Sequence, residues 1–311
     1  VTILFSDRGT PDGHRHMNGF SNHSYILVSE DGSYRFAKWH FLTNQGIKNL
    51  IDGEAERLAG INPEYATEDL FNAIERGDYP SWDVYIQVIE PEQALKYHFN
   101  HLDITKVLRH RDFPLIPVGR MVLNRNPENY FAEVEQAAFS PSHLVPGIAP
   151  APDRMFQSRL FSYPDTLRHR IGGNYHQIPV NRPINSLPNN HQCDGLMVVD
   201  GNGGSAPIYE PNSFGGPYQT NNPIHTYVPL NLHGQTGRYA FELTDDDFVQ
   251  AGDLYRLMDP AAQTRLVNNL VNSIIKARPF IQKRMVGHFK RADPEYGARV
   301  ERGLHEAGSE I

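Results

Sequence analysis

Cysteine is almost absent from this sequence, since Cys193 is the only one in 311 residues. A single cysteine excludes an internal disulfide framework and a zinc ribbon, and it is typical of a reducing compartment. Long apolar runs are missing as well, because no stretch approaches the roughly 18 residues that a membrane span needs. The sequence therefore predicts neither a disulfide-stapled domain nor a membrane partner.

Positive charge is in deficit. The chain has 29 Lys and Arg against 36 Asp and Glu, a formal net charge of −7, so no basic balance indicates nucleic acid as a partner. No GxSxG, HExxH or CxxC motif is present, which leaves a serine or cysteine hydrolase and a zinc protease without support. What the chain does have is 39% hydrophobic and 11% aromatic residues, enough to bury a core and to exclude intrinsic disorder.

The N-terminus lacks an initiating Met, a basic n-region and a signal-peptide cleavage pattern. Four of the residues 1–5 are apolar and three are β-branched, so we expect a strand that is already under way at Val1 and a chain cut from a longer protein. Without a secretory signal, the expected location is cytoplasmic or peroxisomal.

The hydrophobic pattern predicts an α+β fold that begins with a sheet-containing part. Residues 1–125 combine a hairpin around Asp31-Gly32, a strand over 82–88 whose even-numbered residues face the core, and a helix that begins at Thr67. Such a pattern is typical of part of a large antiparallel sheet with helical insertions, not of βαβ units.

Regular patterns become rare over 126–241. Asn126-Pro127 predicts a helix that continues to Ala138, and Pro152-Asp153 predicts a second helix over about 153–170. Residues 171–240 show no sustained periodicity, which is typical of an arm that wraps another body. Over 242–311, Asp259-Pro260 and Asp293-Pro294 each precede apolar residues at helical spacing and predict a helical domain.

Two histidine clusters offer only weak sites. His98 and His101 are three residues apart, but no Cys or Glu ligand lies nearby, so a metal site there is disfavoured. The second cluster, His14-Arg15-His16, could bind a phosphate or a propionate group. More often such a cluster is a solvated or salt-bridged surface. Neither cluster by itself indicates a function.

A stronger pattern is the segment RLFSYPDTLRHR, residues 159–170. On a helix, Arg159 and Tyr163 lie four residues apart and share a face. Since a guanidinium beside a phenol oxygen favours the phenolate, this pair could supply a hard anionic ligand suited to ferric iron. On spacing alone a second interpretation is favoured, a buried Tyr that is hydrogen-bonded to a neighbouring Arg.

The same segment resembles the proximal ligand signature of the haem catalases, and the resemblance extends over the whole chain. It includes SDRGTPDGHRHMNGF (6–20), YPSWDVYIQV (79–88), PVGRMVLNRNPENYFAEVEQAAF (117–139) and NSFGGP (212–217). The family implies an eight-stranded antiparallel β-barrel to which residues 1–125 belong, a wrapping arm over 126–241 with the ligand helix, and a helical domain over 242–311.

The resemblance also implies a haem site. Tyr163 would be the axial ligand of the iron and Arg159 would keep it ionised, while His23 and Asp153 match positions that the family links to that arginine. The remaining matches are Arg170, a propionate partner, and Phe139 and Met155, which line the haem. The implied cofactor is haem b or a modified haem.

The residues that bind a second cofactor, NADPH, in the family are only partly present here. Ser6, Arg8, Asn18 and His110 fit positions that bind it in many family members. The positions that depart from the pattern are Phe20, Leu42 and Leu108, where Tyr, Lys and Trp are usual. The family's Lys would contact a phosphate and its Trp would offer a flat indole ring. The absence of both weakens the case for NADPH binding.

The activity that the resemblance implies is that of a catalase: two molecules of hydrogen peroxide give water and dioxygen, with ferric haem cycling through an oxoferryl state. A homotetramer is implied too. The family's distal His and Asn fall upstream of the matching segment, so we expect residues 1–311 alone to be inactive. Two alternatives stay open: a related haem protein that acts on organic hydroperoxides or a small metabolite, and a haem-binding fragment without catalysis.

Overall fold

The computed structural model describes residues 1–51, 53–186, 188, 190–225, 244 and 246–311. Within these residues an antiparallel sheet of six strands has the order β5-β4-β3-β2-β6, and β1 pairs with β3. The strands are β1 (Gly19–Phe20), β2 (Tyr25–Val28), β3 (Tyr34–Thr43), β4 (Ser81–Ile89), β5 (Ile116–Val122) and β6 (Ile148–Pro150). The expected mixture of an antiparallel sheet with helices is therefore confirmed.

The predicted hairpin is present between β2 and β3. The strands pair from Tyr25 opposite Ala37 to Val28 opposite Tyr34. At the turn Gly32 has a φ of +82°, a left-handed conformation that glycine adopts without strain.

The prediction that the even-numbered residues of β4 are buried is wrong for the second half of the strand. Trp82 is buried as expected, and its indole N–H donates to the Met17 carbonyl at 2.9 Å. Further along, Gln87 and Ile89 are the buried residues, whereas Val88 is half-exposed. The reason is that different segments cover opposite faces of the sheet: residues near Met17 cover one end of the strand, and the loop ending at Phe113 covers the other.

The sheet is not closed within the described residues, because β5 and β6 are its two edges. Every residue of β5 is exposed, including apolar side chains such as Ile116 and Val118. Unpaired, apolar strand edges are unusual at a protein surface.

Helices alternate with the strands in the N-terminal part of the chain and form most of its C-terminal part. Their bounds are α1 (Thr2–Phe5), α2 (Glu54–Ile61), α3 (Tyr65–Glu75), α4 (Pro91–Lys96), α5 (Arg154–Arg170), α6 (Asp246–Leu257), α7 (Pro260–Ile274), α8 (Pro279–Ala292) and α9 (Pro294–Glu306). Helix α3 begins two residues before the predicted cap at Thr67. The prediction of helices after Asp259 and Asp293 is confirmed, and both carboxylates accept backbone N–H groups as N-caps.

The predicted strand at residues 1–5 is wrong, since α1 is a single helical turn. Contacts with the C-terminal helices hold it there. Phe5 packs against their core, its carbonyl accepts the Asn269 amide N–H at 2.9 Å, and Asp7 forms a two-bond ion pair with Arg265. Tertiary contacts thus override the β propensity of this segment.

The middle of the chain is mostly irregular, as expected. The predicted helix after Asn126 is wrong, because only a single π-helical turn forms, Phe131–Glu135. Between 178 and 225 the described residues contain no α-helix or strand, and residues 226–241 of the predicted arm lie outside the described part of the chain. Among the described helices, none combines the length and the apolar character that crossing a membrane requires.

Candidate functional site

Helix α5 carries the main candidate residues and is fixed at its start by Asp153. The Asp153 carboxylate accepts the Phe156 N–H at 2.6 Å, so Asp153 is the N-cap of the helix that the sequence predicts. Because a helix turns about 100° per residue, one arc of α5 contains a set of residues that we name the outer stripe: Met155, Arg159, Ser162, Tyr163, Thr166 and Arg170. These residues are exposed or half-buried.

The neighbouring face of α5 packs against the rest of the protein. Phe156 is fully buried in the core under the sheet, and Leu167 is buried with Ala138 and Tyr175. This packing orients the outer stripe away from the sheet. Tyr163 retains 36% of its accessible surface as a result.

Arg159 and Tyr163 form a direct contact. Arg159 Nη2 donates to the Tyr163 phenol oxygen at 2.7 Å, and the guanidinium carbon lies 4.9 Å from the centre of the ring. The i,i+4 geometry expected from the sequence is therefore present, but the Tyr is not the buried residue of the competing interpretation. A phenol oxygen that accepts one hydrogen bond from a cation has a further lone pair with which it can bind a Lewis acid.

Behind this pair lies the buried contact between His23 and Asp153. His23 Nδ1 is 2.9 Å from Asp153 Oδ2, and the imidazole stacks on the Phe156 ring at 4.8 Å. His23 Nε2 is buried and has no hydrogen-bond partner within the described residues. Burial raises the pKa of the adjacent Tyr25, and the positive charge of Arg159 lowers it by a smaller amount.

A cleft of about 400 Å³ opens beside Tyr163. It is lined by Ala137, Phe139, Ser162, Tyr163, Thr166, Leu167 and Arg170. Three of the residues predicted for the haem site, Phe139, Tyr163 and Arg170, thus meet at one cleft. Met155 does not line it, although it lies on the same stripe two turns earlier.

Arg170 is held at the edge of this cleft by backbone groups. Its Nη2 donates to the Ala137 carbonyl at 2.6 Å, and its Nη1 donates to the Glu135 carbonyl. The two bonds tie the end of α5 to the segment that leads into Phe139. Phe139 itself is 84% exposed, so its ring is available to a ligand.

The predicted NADPH residues lie in two places. Ser6 is buried and donates to the Ile3 carbonyl at 2.7 Å, and Arg8 is exposed in the next turn. The Asn18 amide oxygen accepts the Thr43 N–H at 2.9 Å at the end of β3.

His110 meets β3 nearer the centre of the strand than Asn18 does. His110 and Phe20 both place their rings edge-on to His40, with centroids 5.7 and 5.5 Å away. Leu108, at the position where Trp is usual, is only 1% exposed and belongs to the core. A side chain buried to that extent has no face to offer a cofactor.

Some polar groups that the sequence did not single out are buried near these sites. Gln87 Oε1 accepts a hydrogen bond from His40 Nε2 at 2.8 Å, and Gln87 Nε2 donates to the Phe113 carbonyl at 2.7 Å. On the inner side of α5, His143 Nε2 lies 3.3 Å from the Tyr175 hydroxyl, and His176 stacks on the Tyr175 ring. Burial lowers the pKa of all three imidazoles. The sequence signal for Gln87 was only a polar residue in an apolar strand.

The two histidine clusters do not form a metal site. Within the described residues no group of three or more His, Cys, Asp and Glu side chains could hold a metal ion. Arg15 pairs with Asp69 through two bonds of 2.7 Å, so the salt-bridged interpretation is confirmed for Arg15. His16 is instead buried, and its Nδ1 lies 2.9 Å from the Gly46 carbonyl oxygen.

Comparison with known proteins places the chain among the following relatives. The sequence model of the family described as Catalase matches residues 1–216, and that described as Catalase-related immune-responsive matches residues 242–304. Catalase of Methanosarcina barkeri is 52% identical over 305 residues, which are 98% of this chain and 60% of that protein. Catalase-A of Dictyostelium discoideum is 53% identical over 310 residues, which are 98% of this chain and 62% of that protein.

The fold agrees with a solved structure as well. A fungal catalase superposes with a TM-score of 0.91 at 44% sequence identity, and the match covers 100% of this chain and 63% of that one. The chain therefore spans about three-fifths of the length of the relatives that it matches.

Proposed function

The chain belongs to the catalase family, and from this premise we propose that it supplies the proximal side of a haem site in an enzyme that converts hydrogen peroxide to water and dioxygen. One observation carries the proposal: Tyr163 lines a cleft, and its phenol oxygen accepts a 2.7 Å hydrogen bond from Arg159. A phenol oxygen in this setting is a suitable anionic ligand for ferric iron.

The donor set around the cleft fits haem, either haem b or a modified haem. Tyr163 would provide the oxygen ligand, the Phe139 ring would cover part of the macrocycle, and Arg170 would pair with a propionate. Met155, next to the cleft on the same stripe, would extend the apolar lining. Haem, when bound, would supply the redox chemistry that no side chain of this chain provides.

The side chains have distinct tasks in this proposal. Arg159 holds a positive charge against the Tyr163 oxygen and donates a hydrogen bond to it. The His23–Asp153 contact fixes the first turn of α5, and Arg170 fixes its last turn through the carbonyls of Glu135 and Ala137. Together these contacts hold the ligand helix at both ends, so that the phenol keeps its place and direction.

The larger architecture is also proposed. We expect residues 1–125 to form part of a β-barrel, because β5 and β6 are edges and β5 exposes apolar side chains. Residues 126–241 would be a wrapping arm and residues 242–311 a helical domain. Exposed apolar side chains in the arm, such as Ile184 at 98%, support a homotetramer in which the arm is buried between subunits.

We do not propose that NADPH binds at the four positions that match the family. Ser6 and Asn18 are already hydrogen-bonded within the chain, and Leu108 is buried. Arg8 and His110 remain exposed, so a phosphate could reach both side chains. For the location, a single cysteine agrees with a reducing compartment, cytoplasmic or peroxisomal.

The test is reconstitution of the chain with haem. We expect a Soret band typical of phenolate ligation that is lost in Tyr163→Phe and retained in Tyr218→Phe, a matched change at an exposed tyrosine. Circular dichroism verifies that both variants fold. An unchanged band in Tyr163→Phe would contradict the ligand assignment.

Oxygen release from hydrogen peroxide tests the activity on the same samples. We expect little turnover from residues 1–311 alone, because proton transfer to the peroxide needs a base placed within about 3 Å of it, a contribution of roughly 10²–10⁴ in rate. Turnover within about tenfold of an intact catalase would contradict that expectation. A haem-loaded chain that consumes organic hydroperoxides but not hydrogen peroxide would contradict the substrate.

A further inference from the structure

The region of α7 and α8 has an unusual distribution of charge. Residues 260–292 contain seven Lys and Arg and no Asp or Glu, whereas the chain as a whole has a formal net charge of −7. A basic block inside an acidic protein indicates a surface that meets an anionic partner. This feature is independent of the proposed haem site.

Some of these cations already have partners in the fold. Arg265 pairs with Asp7 at 2.6 Å, Lys290 pairs with Glu301 at 2.7 Å, and the Arg291 guanidinium lies 3.9 Å from the centre of the Phe248 ring. The others form no ion pair within the described part of the chain and are exposed: Lys276, Arg278, Lys283 and Arg284. Their charge is therefore available to an external ligand.

The buried Gln282 brings these four cations to one corner. Its amide N–H groups donate to the carbonyls of Ile275 and Ala277, at 3.1 and 2.7 Å. These bonds hold the α7–α8 connection, with Lys276 and Arg278, against the first turns of α8, where Lys283 and Arg284 lie. The arrangement is thus fixed by the fold.

Apolar side chains project from the same corner. Gln282, Val286 and Phe289 occupy the buried face of α8. Phe280 and Ile281, near its start, are 51% and 37% exposed. The Arg284 guanidinium carbon lies 5.2 Å from the centre of the Phe280 ring, so cation and aromatic ring form one surface.

We propose that this α8 corner (Lys276, Arg278, Phe280, Ile281, Lys283 and Arg284) docks on an anionic phospholipid membrane surface. Basic side chains that surround exposed Phe and Ile at a helix start are typical of interfacial binding, in which the cations contact headgroups and the apolar side chains enter the acyl boundary. A nucleic acid fits less well, because Arg284 already occupies one face of the Phe280 ring on which a base would stack. Surface docking needs no membrane-spanning helix, and it revises the expectation that the chain has no membrane partner.

The test is flotation of the chain with vesicles, which separates bound protein from aggregates. We expect flotation with phosphatidylcholine vesicles that contain about 30% phosphatidylserine, none with pure phosphatidylcholine, and a decrease as salt rises. Lys283→Glu/Arg284→Glu should weaken binding by at least about tenfold. The matched control Lys48→Glu/Lys96→Glu changes the net charge equally at exposed positions elsewhere and should bind like the parent.

Two further variants sharpen the outcome. Lys276→Glu/Arg278→Glu lies in the connection outside both helices and should reproduce the loss if the α8 variant fails to fold. Phe280→Ser should weaken vesicle binding, because it removes the ring that enters the acyl boundary. Equal losses in the corner and control variants, or binding to single-stranded DNA without flotation, would overturn the proposal.

Discussion

His23 and Asp153 are 130 residues apart in the sequence, yet His23 Nδ1 lies 2.9 Å from Asp153 Oδ2 in a buried site. The other oxygen of the same carboxylate caps α5 by accepting the Phe156 N–H. One side chain therefore joins the segment before β2 to the first turn of the helix that carries Arg159 and Tyr163. This double role has a measurable consequence.

We expect Asp153→Ala to destabilise the fold more than Asp259→Ala does. Both substitutions remove an N-cap, which costs about 1 kcal/mol. Only Asp153→Ala also leaves the buried His23 without its hydrogen-bond partner, which adds about 1–3 kcal/mol. Urea unfolding followed by circular dichroism measures both, and equal losses would show that the His23 contact contributes nothing.

The second prediction concerns Arg159 and depends on the proposed haem site. Arg159→Ala removes a hydrogen bond to an anionic oxygen, worth about 1.5–3 kcal/mol, so haem affinity should fall about tenfold or more. Arg168→Ala, an exposed position on the same helix, is the control for haem titration, and identical affinities in the two variants would exclude the role of Arg159.

The third prediction is a pH dependence of stability that involves His101. Burial, and secondarily the charge of Lys38, lowers the pKa of His101 from 6.5 to about 4. Between those values the unfolded chain binds a proton that the folded chain does not, so the free energy of unfolding should fall as pH drops from about 6.5 to 4. The contribution of this residue is at most about 3 kcal/mol.

His101→Gln tests this pH dependence. The variant should be less stable at pH 8, because it loses the ring contact with Phe36 at 4.4 Å, but it should lose less stability on acidification. His305→Gln, at an exposed position, should keep the slope of the parent. Parallel curves of unfolding free energy against pH for all three proteins would show that His101 does not carry the effect.

The fourth prediction concerns assembly. Ile184 and Phe214 are 98% and 74% exposed in the irregular arm, so Ile184→Lys/Phe214→Lys should shift the protein toward smaller species in sedimentation velocity. Leu95→Lys/Leu257→Lys alters two equally exposed apolar residues on helices and should leave the distribution unchanged. A parent chain that sediments as a monomer at micromolar concentration would contradict the proposed tetramer.

Local sequence determined the features that depend on residues close together in the chain. The Arg159–Tyr163 contact follows from i,i+4 spacing on a helix, and the N-caps at Asp153 and Asp259 follow from a carboxylate before a helical pattern. The hairpin turn at Gly32 is determined in the same way. In each case the partners are fixed by one turn of backbone, so no knowledge of the rest of the fold is needed.

Only the tertiary structure decided the features that join distant segments. The resemblance to catalases named His23 and Asp153, but their 2.9 Å contact depends on how the sheet meets α5. The burial of Gln87 and the helical turn at Thr2–Phe5 were missed, because each depends on a segment far away in sequence: the loop that ends at Phe113, and the C-terminal helices. Whether a residue is buried depends on which segment packs over it. That segment is distant in the sequence, so the residues around the buried position do not reveal it.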